Sequence, residues 1–285
     1  MEAVPLAAQE LLRCPVCAGA WLASAPTDRS LVCTSGHRFD AARQGYVNFL
    51  TGRGTRFRPD TAEMVAARER FLAAGYYAPI AEALADAAAP ALTDDDERAG
   101  AVLDAGAGTG YYLAVLLSRV PGSHAVALDL SRHALGRAAK LPGTAAVVWD
   151  LWRPLPLPDG VVDAVIDVFA PRNFPEFARV LRRGGLACVV TPEPDHLAAL
   201  RSILPMLDVP AGKVDDVERA AAAHFDRVEV RGVRFGLELD PQAAVDLALM
   251  GPAGHHVARA DLLARLPDGP LQAEGAVQVT VLRRR

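Results

Sequence analysis

From Gly100 to Pro192 the chain repeats one pattern, and that pattern leaves few folds open. Five short β-rich runs, AVLDA, AVALDL, AAVVW, VVDAVIDVF and LACVVTP, are separated by helix-like segments such as YYLAVLLSRV and SRHALGRAAK. Strand–helix alternation of this kind predicts an α/β fold, a doubly wound parallel sheet with helices on both faces. Two later runs, RVEVRGVRFGLEL and AVQVTVLRRR, flank a helix around PQAAVDLALM. They predict an antiparallel pair that closes one edge of the sheet.

The strand ends carry the chemistry. VLDAGAGTGYY, residues 102 to 112, ends one strand and opens a helix, the place where α/β sheets bind cofactors. Asp104, Gly106, Gly108 and Gly110 form D-x-G-x-G-x-G, whereas a pyrophosphate fingerprint spaces its glycines G-x-G-x-x-G. An acid two residues before the first glycine suits a cationic cofactor end, such as the amino group of S-adenosylmethionine, better than a pyrophosphate. Asp129 closes the next strand, where a carboxylate takes both ribose hydroxyls. Asp150 closes the third, within reach of an adenine amino group. Either acid alone reads equally well as a turn or N-cap residue. Three acids at successive strand ends, with glycines at the first, describe a cofactor crevice.

The fourth strand runs into IDVFAPRN, residues 166 to 173. Phe169 there either stacks on a flat base or fills core. Asp167 is a candidate proton acceptor by position alone, and it reads equally as a strand residue facing a helix. The sequence identifies no catalytic residue.

Three of the four cysteines, with one histidine, fall in the first 37 residues, spaced Cys14-x2-Cys17-x15-Cys33-x3-His37. A Cys-x2-Cys pair forms a tight knuckle whose N–H groups support thiolate charge. Fifteen intervening residues suffice for a strand, a turn and a strand that bring the second pair back to the first. Three thiolates and one imidazole complete a tetrahedron, so the metal expected is a closed, structural zinc. Three cysteines cannot all pair as disulfides, and no thioredoxin-like context supports a redox Cys-x-x-Cys. Residues 1 to 50 also hold too little apolar material for an independent core. Structural zinc supplies on the order of 10 kcal/mol in modules that cannot otherwise fold. Cys188, within LACVV, reads as a core residue.

The net charge is −4, yet seven arginines and only two acids, Asp28 and Asp40, occur from Arg13 to Arg58. A basic surface inside an acidic protein fits a bounded nucleic-acid site, although a solvated arginine face gives the same composition. TGRGTRFRPD, residues 51 to 60, reads as a linker. Thr61 is a candidate N-cap, with Gly75 and Pro79 dividing the next stretch into two helices, and TDDDERAG is a charged break. The expected division is a zinc-binding RNA-recognition domain at 1–50, linker and helices at 51–99, and a catalytic domain at 100–285. No run of about 18 uncharged apolar residues occurs, and no basic stretch precedes an apolar one at the N-terminus. The expectation is a cytoplasmic protein with no membrane partner.

These residues together resemble the RlmA/TlrB-type 23S rRNA guanine-N1 methyltransferases. The likeness runs through CPVC with CxxxH, FDAARQGYVNFL, AEMVAARERFLAAGYYAPI, LDAGAGTGYY, VFAPRN, LRRGG and TPEPDHLAAL. It implies a Rossmann-like class I methyltransferase dependent on S-adenosylmethionine, with a small N-terminal zinc domain. It places the zinc ligands at Cys14, Cys17, Cys33 and His37. Cofactor contacts fall at Tyr77, at the Gly108-Thr109 turn and at His196. The substrate implied is a guanine in a 23S rRNA stem-loop lining the peptide exit tunnel, and the assembly implied is a homodimer. VFAPRN and GYVNFL resemble the Gram-positive, resistance-associated branch. One segment departs from the family: M-x-P-x-x-W stands here as Met250-Gly-Pro-Ala-Gly-His255. That departure keeps open a small-molecule methyltransferase with a retained zinc module. A non-enzymatic RNA-binding protein is opposed by the intact Asp104, Gly106, Gly108 and Asp129.

Overall fold

The computed structural model describes residues 4–23, 29–52, 54–93, 98–209 and 213–285; Asp28, Arg53 and the acids Asp94 to Glu97 of the charged break lie outside the described residues. The head of the chain contains α1 (Leu6–Gln9), β1 (Ser30–Val32), β2 (Arg38–Asp40) and β3 (Val47–Asn48). β1 and β2 pair antiparallel, with Leu31 opposite Phe39. Behind them the rings of Trp21, Phe39 and Phe49 pack with centroids 5.0 to 5.9 Å apart. These rings do not close a core of their own. With Leu11, Leu12 and Leu31 they join one apolar cluster with Val126, Val147, Trp149 and Leu151 of the larger unit.

Two helices follow, α2 (Ala62–Ala73) and α3 (Ala78–Ala88), where the sequence pattern puts them. Thr61 Oγ1 accepts from the Met64 N–H at 3.2 Å. Gly75 takes φ +82° between the helices, a left-handed turn that glycine adopts freely. Pro79 stands in the first turn of α3, where its missing N–H costs nothing.

Next come β4 (Ala101–Ala105), α4 (Tyr111–Arg119), β5 (His124–Asp129), α5 (Arg132–Ala138), β6 (Thr144–Val148), β7 (Val162–Val168), α6 (Phe174–Val180) and β8 (Leu181–Pro192). The chain finishes through α7 (Ala198–Arg201), α8 (Lys213–Ala221), β9 (Phe225–Leu239), α9 (Pro241–Leu249), α10 (Arg259–Leu263) and β10 (Leu271–Arg284). Among the described residues the large sheet has the order β3-β6-β5-β4-β7-β8-β10-β9. Strands β4 to β8 run parallel, and β10 lies antiparallel to both β8 and β9, so the late strands do close one edge. Every residue of β4 and β6 is buried, as strands covered on both faces require. One face is covered by α2 to α5 and α9, the other by α6, α8 and the head. Gly185 of LRRGG is forced by packing: a Cβ there would meet the Asp163 carbonyl oxygen at 2.9 Å.

The opposite edge was not foreseen. β3 pairs parallel with β6, Val47 beside Val147 and Asn48 beside Val148, so the head contributes a strand to the catalytic sheet. The sheet reverses its direction of growth between β4 and β7, and ligands of open α/β sheets bind beyond the carboxyl ends of strands at such a switch point. No helix among the described residues is long and apolar enough to cross a membrane.

Candidate cofactor crevice and metal centre

The two halves of the cysteine motif meet. Ligand atoms of Cys14, Cys17, Cys33 and His37 all lie within 4.8 Å of one another. Cys17 Sγ is 3.7 Å from Cys33 Sγ, and His37 Nδ1 is 3.7 Å from Cys14 Sγ and 3.3 Å from Cys33 Sγ. Tetrahedral zinc, with Zn–S near 2.3 Å and Zn–N near 2.0 Å, sets its ligand atoms roughly 3.5 to 3.8 Å apart. Donor set and spacing therefore fit zinc. The first knuckle is closed by the Ala18 N–H donating to the Cys14 carbonyl at 2.8 Å, and the second by the Cys33 N–H donating to that of His37 at 2.9 Å. The His37 N–H donates to Cys33 Sγ at 3.3 Å, an interaction that favours thiolate. The Ser35 hydroxyl and then the Gly19 N–H hold the Cys17 thiol down to about 6. At Cys33 burial opposes ionisation, but the His37 and Ser35 N–H groups and the imidazole outweigh it and lower the thiol.

At the end of β4, Asp104 is 3% exposed and its Oδ2 has no hydrogen-bond partner. Burial, with the Asp129 carboxylate adding to it, pushes Asp104 up to about 8. A buried carboxylate without a partner is costly to keep unless a cation reaches it. Asp104 is therefore a buried carboxyl with one oxygen left open to a donor. The glycine turn beside it bends through three left-handed residues, Gly106, Gly108 and Gly110, with Thr109 between the last two. A Cβ on Gly106 would stand 2.4 Å from the Ala170 Cβ, so this turn and the loop after β7 touch. Gly106→Ala is therefore expected to cost about 2–4 kcal/mol through strain and overpacking. It should also weaken S-adenosylhomocysteine binding, with melting curves and calorimetry as the two readouts.

Asp129, at the end of β5, accepts from the Gly108 N–H at 2.8 Å and the Ser131 N–H at 2.7 Å. Each oxygen keeps a lone pair for a further donor. Asp150, just past β6, is already engaged: it accepts from Thr55 Oγ1 at 2.8 Å and from the Trp152 N–H at 3.1 Å. Thr55 belongs to the linker, which is fastened across these strand ends as a strap. Arg153 donates to the Gly54 carbonyl, Asp60 pairs with Arg68 at 2.7 Å, and Ser131 Oγ donates to the Asp60 carbonyl at 2.8 Å.

Tyr77 and His196 lie 119 positions apart in the chain and meet at 3.2 Å between Oη and Nε2. The Ala276 N–H donates to His196 Nδ1 at 3.1 Å. A neutral imidazole accepting at Nδ1 carries its proton on Nε2, so His196 donates to the Tyr77 oxygen. Phe169, in the left-handed region at φ +55°, lies 6.3 Å from the Tyr77 ring and 5.9 Å from His196 between ring centres. Tyr77, His196 and Phe169 thus cluster together, while Asp129 and Asp150 lie at neighbouring strand ends, Asp150 bonded to the strap. Asp167 is fully buried, and burial pushes its carboxyl well up, with Arg172 and the Ala170 N–H of the following loop opposing that shift.

Sequence reasoning missed Arg68. It lies on the glycine turn, with Nη1 placed 3.2 Å from where a Gly108 Cβ would be, and Nη2 donates to the Met250 carbonyl at 2.7 Å. That ties the departing Met250–His255 segment to the crevice. α2 contains two arginines, Arg68 and Arg70, and nothing in the sequence singles this one out.

A parallel sheet with an antiparallel final strand, an acid-and-glycine crevice at its switch point and a zinc-fitting head define a class I methyltransferase dependent on S-adenosylmethionine. Comparison agrees at both ends: residues 12–52 match the family model described as RlmA, N-terminal, a zinc ribbon, and residues 102–185 match a methyltransferase domain. The 23S rRNA (guanine(748)-N(1))-methyltransferase of Streptomyces fradiae is 42% identical over 94% of this chain and 94% of its own length. A Micromonospora griseorubida protein provisionally described as a 23S rRNA (guanine-N(1)-)-methyltransferase is 45% identical over 95% of this chain and 97% of its own. The Bacillus subtilis protein YxjB, provisionally described in the same words, is 34% identical over 85% and 86% respectively. The chain belongs to this family of 23S rRNA guanine-N1 methyltransferases, with S-adenosylmethionine and structural zinc as its cofactors.

Proposed function

We propose that the protein methylates N1 of one guanine in a 23S rRNA hairpin loop near the peptide exit tunnel, in the cytoplasm, and that the methyl group confers macrolide resistance. S-adenosylmethionine supplies an electrophilic methyl group. Asp104 takes its ammonium end, Asp129 its ribose hydroxyls, and the turn from Gly106 to Gly110 lets backbone approach closely. The Tyr77 hydroxyl, already receiving a hydrogen bond from His196, directs its own proton at an acceptor on the cofactor. Asp150 holds the strap over the adenosine end. Alignment of guanine N1 behind the methyl carbon supplies most of the rate, and the guanine reaches that position by swinging out of its loop.

The observation that supports an RNA substrate is the likeness over 94% of the chain to a 23S rRNA (guanine(748)-N(1))-methyltransferase, and unpaired arginines of the head and strap agree with it. Arg13, Arg29, Arg43, Arg56 and Arg58 of the head and strap form no ion pair among the described residues. Arg38 of the head does pair, with Asp40, and the catalytic core is mixed: Arg70, Arg98, Arg119, Arg137, Arg179 and Arg234 pair with carboxylates, whereas Arg132, Arg172 and Arg183 form no ion pair among the described residues. Uncompensated arginines hold phosphates and position RNA without reading it. A homodimer would set two heads around one RNA.

The test is incubation with radiolabelled S-adenosylmethionine and unmethylated 23S rRNA, followed by primer extension. The expected result is one new stop at a single guanine. Label retained by a low-molecular-weight extract and absent from RNA would favour a small-molecule methyltransferase instead.

A further inference from the structure

A cavity of about 720 Å³ lies where the head, the strap and the start of α5 meet. Its volume is that of a site for a small organic ligand. Three separate parts of the chain build it: Tyr46 and Asn48 from the head, Arg58 from the strap, and Leu130, Arg132 and His133 from the start of α5. Two acids also line it, Asp40 and Asp60, and each already has an arginine partner. Asp60 pairs with Arg68 at 2.7 Å and Asp40 with Arg38 at 3.0 Å. Arg58 and Arg132 are exposed and have no carboxylate partner among the described residues. The cavity therefore offers two free guanidinium groups, an imidazole, a half-buried phenol ring and the Asn48 amide.

That inventory matches a nucleotide. Phosphate takes guanidinium donors bidentately, a base stacks on an aromatic face whatever its identity, and an amide reads a base edge. It matches the adenosyl moiety of the cofactor less well, because that moiety brings no anion to two unpaired arginines. We propose that this cavity is an RNA subsite that receives one unpaired nucleotide flanking the target, its phosphate against Arg58 and Arg132 and its base against Tyr46. The subsite rests on the rRNA reading above. It gives head, strap and catalytic domain one shared ligand, and it fixes the distance between the gripped strand and the swung-out guanine.

The experiment compares the wild-type protein with Arg58→Ala/Arg132→Ala. The probe is a 23S rRNA fragment spanning guanine 748, the nucleotide named for the Streptomyces fradiae relative. Both side chains are exposed, so folding is preserved. Fluorescence anisotropy should show RNA affinity at least about tenfold weaker at 0.1 M salt, with the slope of log affinity against log salt shallower by roughly 1.5 to 2. Calorimetry should show S-adenosylhomocysteine binding unchanged. Tyr46→Leu should weaken RNA several-fold without altering the salt slope, and Tyr46→Phe, which keeps the ring, should not. RNA affinity within twofold of wild type in the double variant overturns the proposal. So does a parallel loss of S-adenosylhomocysteine affinity, which would assign the cavity to the cofactor's adenosine. Failure of the functional reading looks different: wild-type protein that binds the fragment but transfers no methyl group to it.

Discussion

Cys33→Ser is expected to release zinc and to lower RNA methylation by at least about a hundredfold, with metal content falling well below one zinc per chain. The serine removes one of three thiolates whose sulfur lies 3.7 Å from Cys17 and 3.3 Å from His37, and the hairpin around it has no core of its own. Structural zinc contributes on the order of 10 kcal/mol to such modules. The effect should not stop at the head. Phe49 and Leu12 share a cluster with Val126, Val147 and Trp149 beneath the catalytic sheet, so the melting temperature of the whole chain should drop. S-adenosylhomocysteine affinity should fall less than tenfold, because Asp104 and the Gly106–Gly110 turn lie across the sheet from the metal. Elemental analysis, melting and calorimetry on one preparation check all three. A variant that keeps wild-type activity without metal would refute the assignment.

Asp104→Asn should move two observables in opposite directions. Cofactor affinity should fall by about a hundredfold or more, the loss of a buried charge-assisted hydrogen bond worth roughly 3 kcal/mol. Stability without cofactor should rise instead. In the native protein, burial and then Asp129 keep the Asp104 proton on until about pH 8. The folded state therefore holds an extra proton between about pH 4 and pH 8, and its stability declines as pH rises through that window. Asparagine carries no such charge. At pH 9 the cofactor-free variant should melt several degrees above wild type, while the two should converge near pH 4. If both cofactor affinity and stability fall, Asp104 is a packing residue and not a receptor for the ammonium group.

What the sequence made legible was local or periodic. The Cys-x2-Cys and Cys-x3-His pairs announce a tetrahedron because both lie within one turn of chain. The parallel strands announce themselves as short apolar runs, and Asp104 and Asp129 at or near the ends of two of them mark the crevice. Long-range pairings left no such mark. Thr55 reaches Asp150 across 95 positions and Tyr77 meets His196 across 119, and in each case the partners look like ordinary polar residues of a loop or helix end. Tyr77 and His196 entered only through the resemblance. β3 is two residues long, too short to show a period, so its place in the sheet could not be read. Arg68 was hidden for another reason: it is one of two arginines on a helix, with Arg70 a half-turn away.

That two-residue strand sets a limit on how this enzyme can change. Because β3 pairs with β6 and the head shares its apolar cluster with the sheet, the head is built into the catalytic unit. A different hairpin would have to be met by new loops on the head and not by a new angle of the head. Cutting the head away would leave a bare sheet edge in water, and such edges recruit other chains.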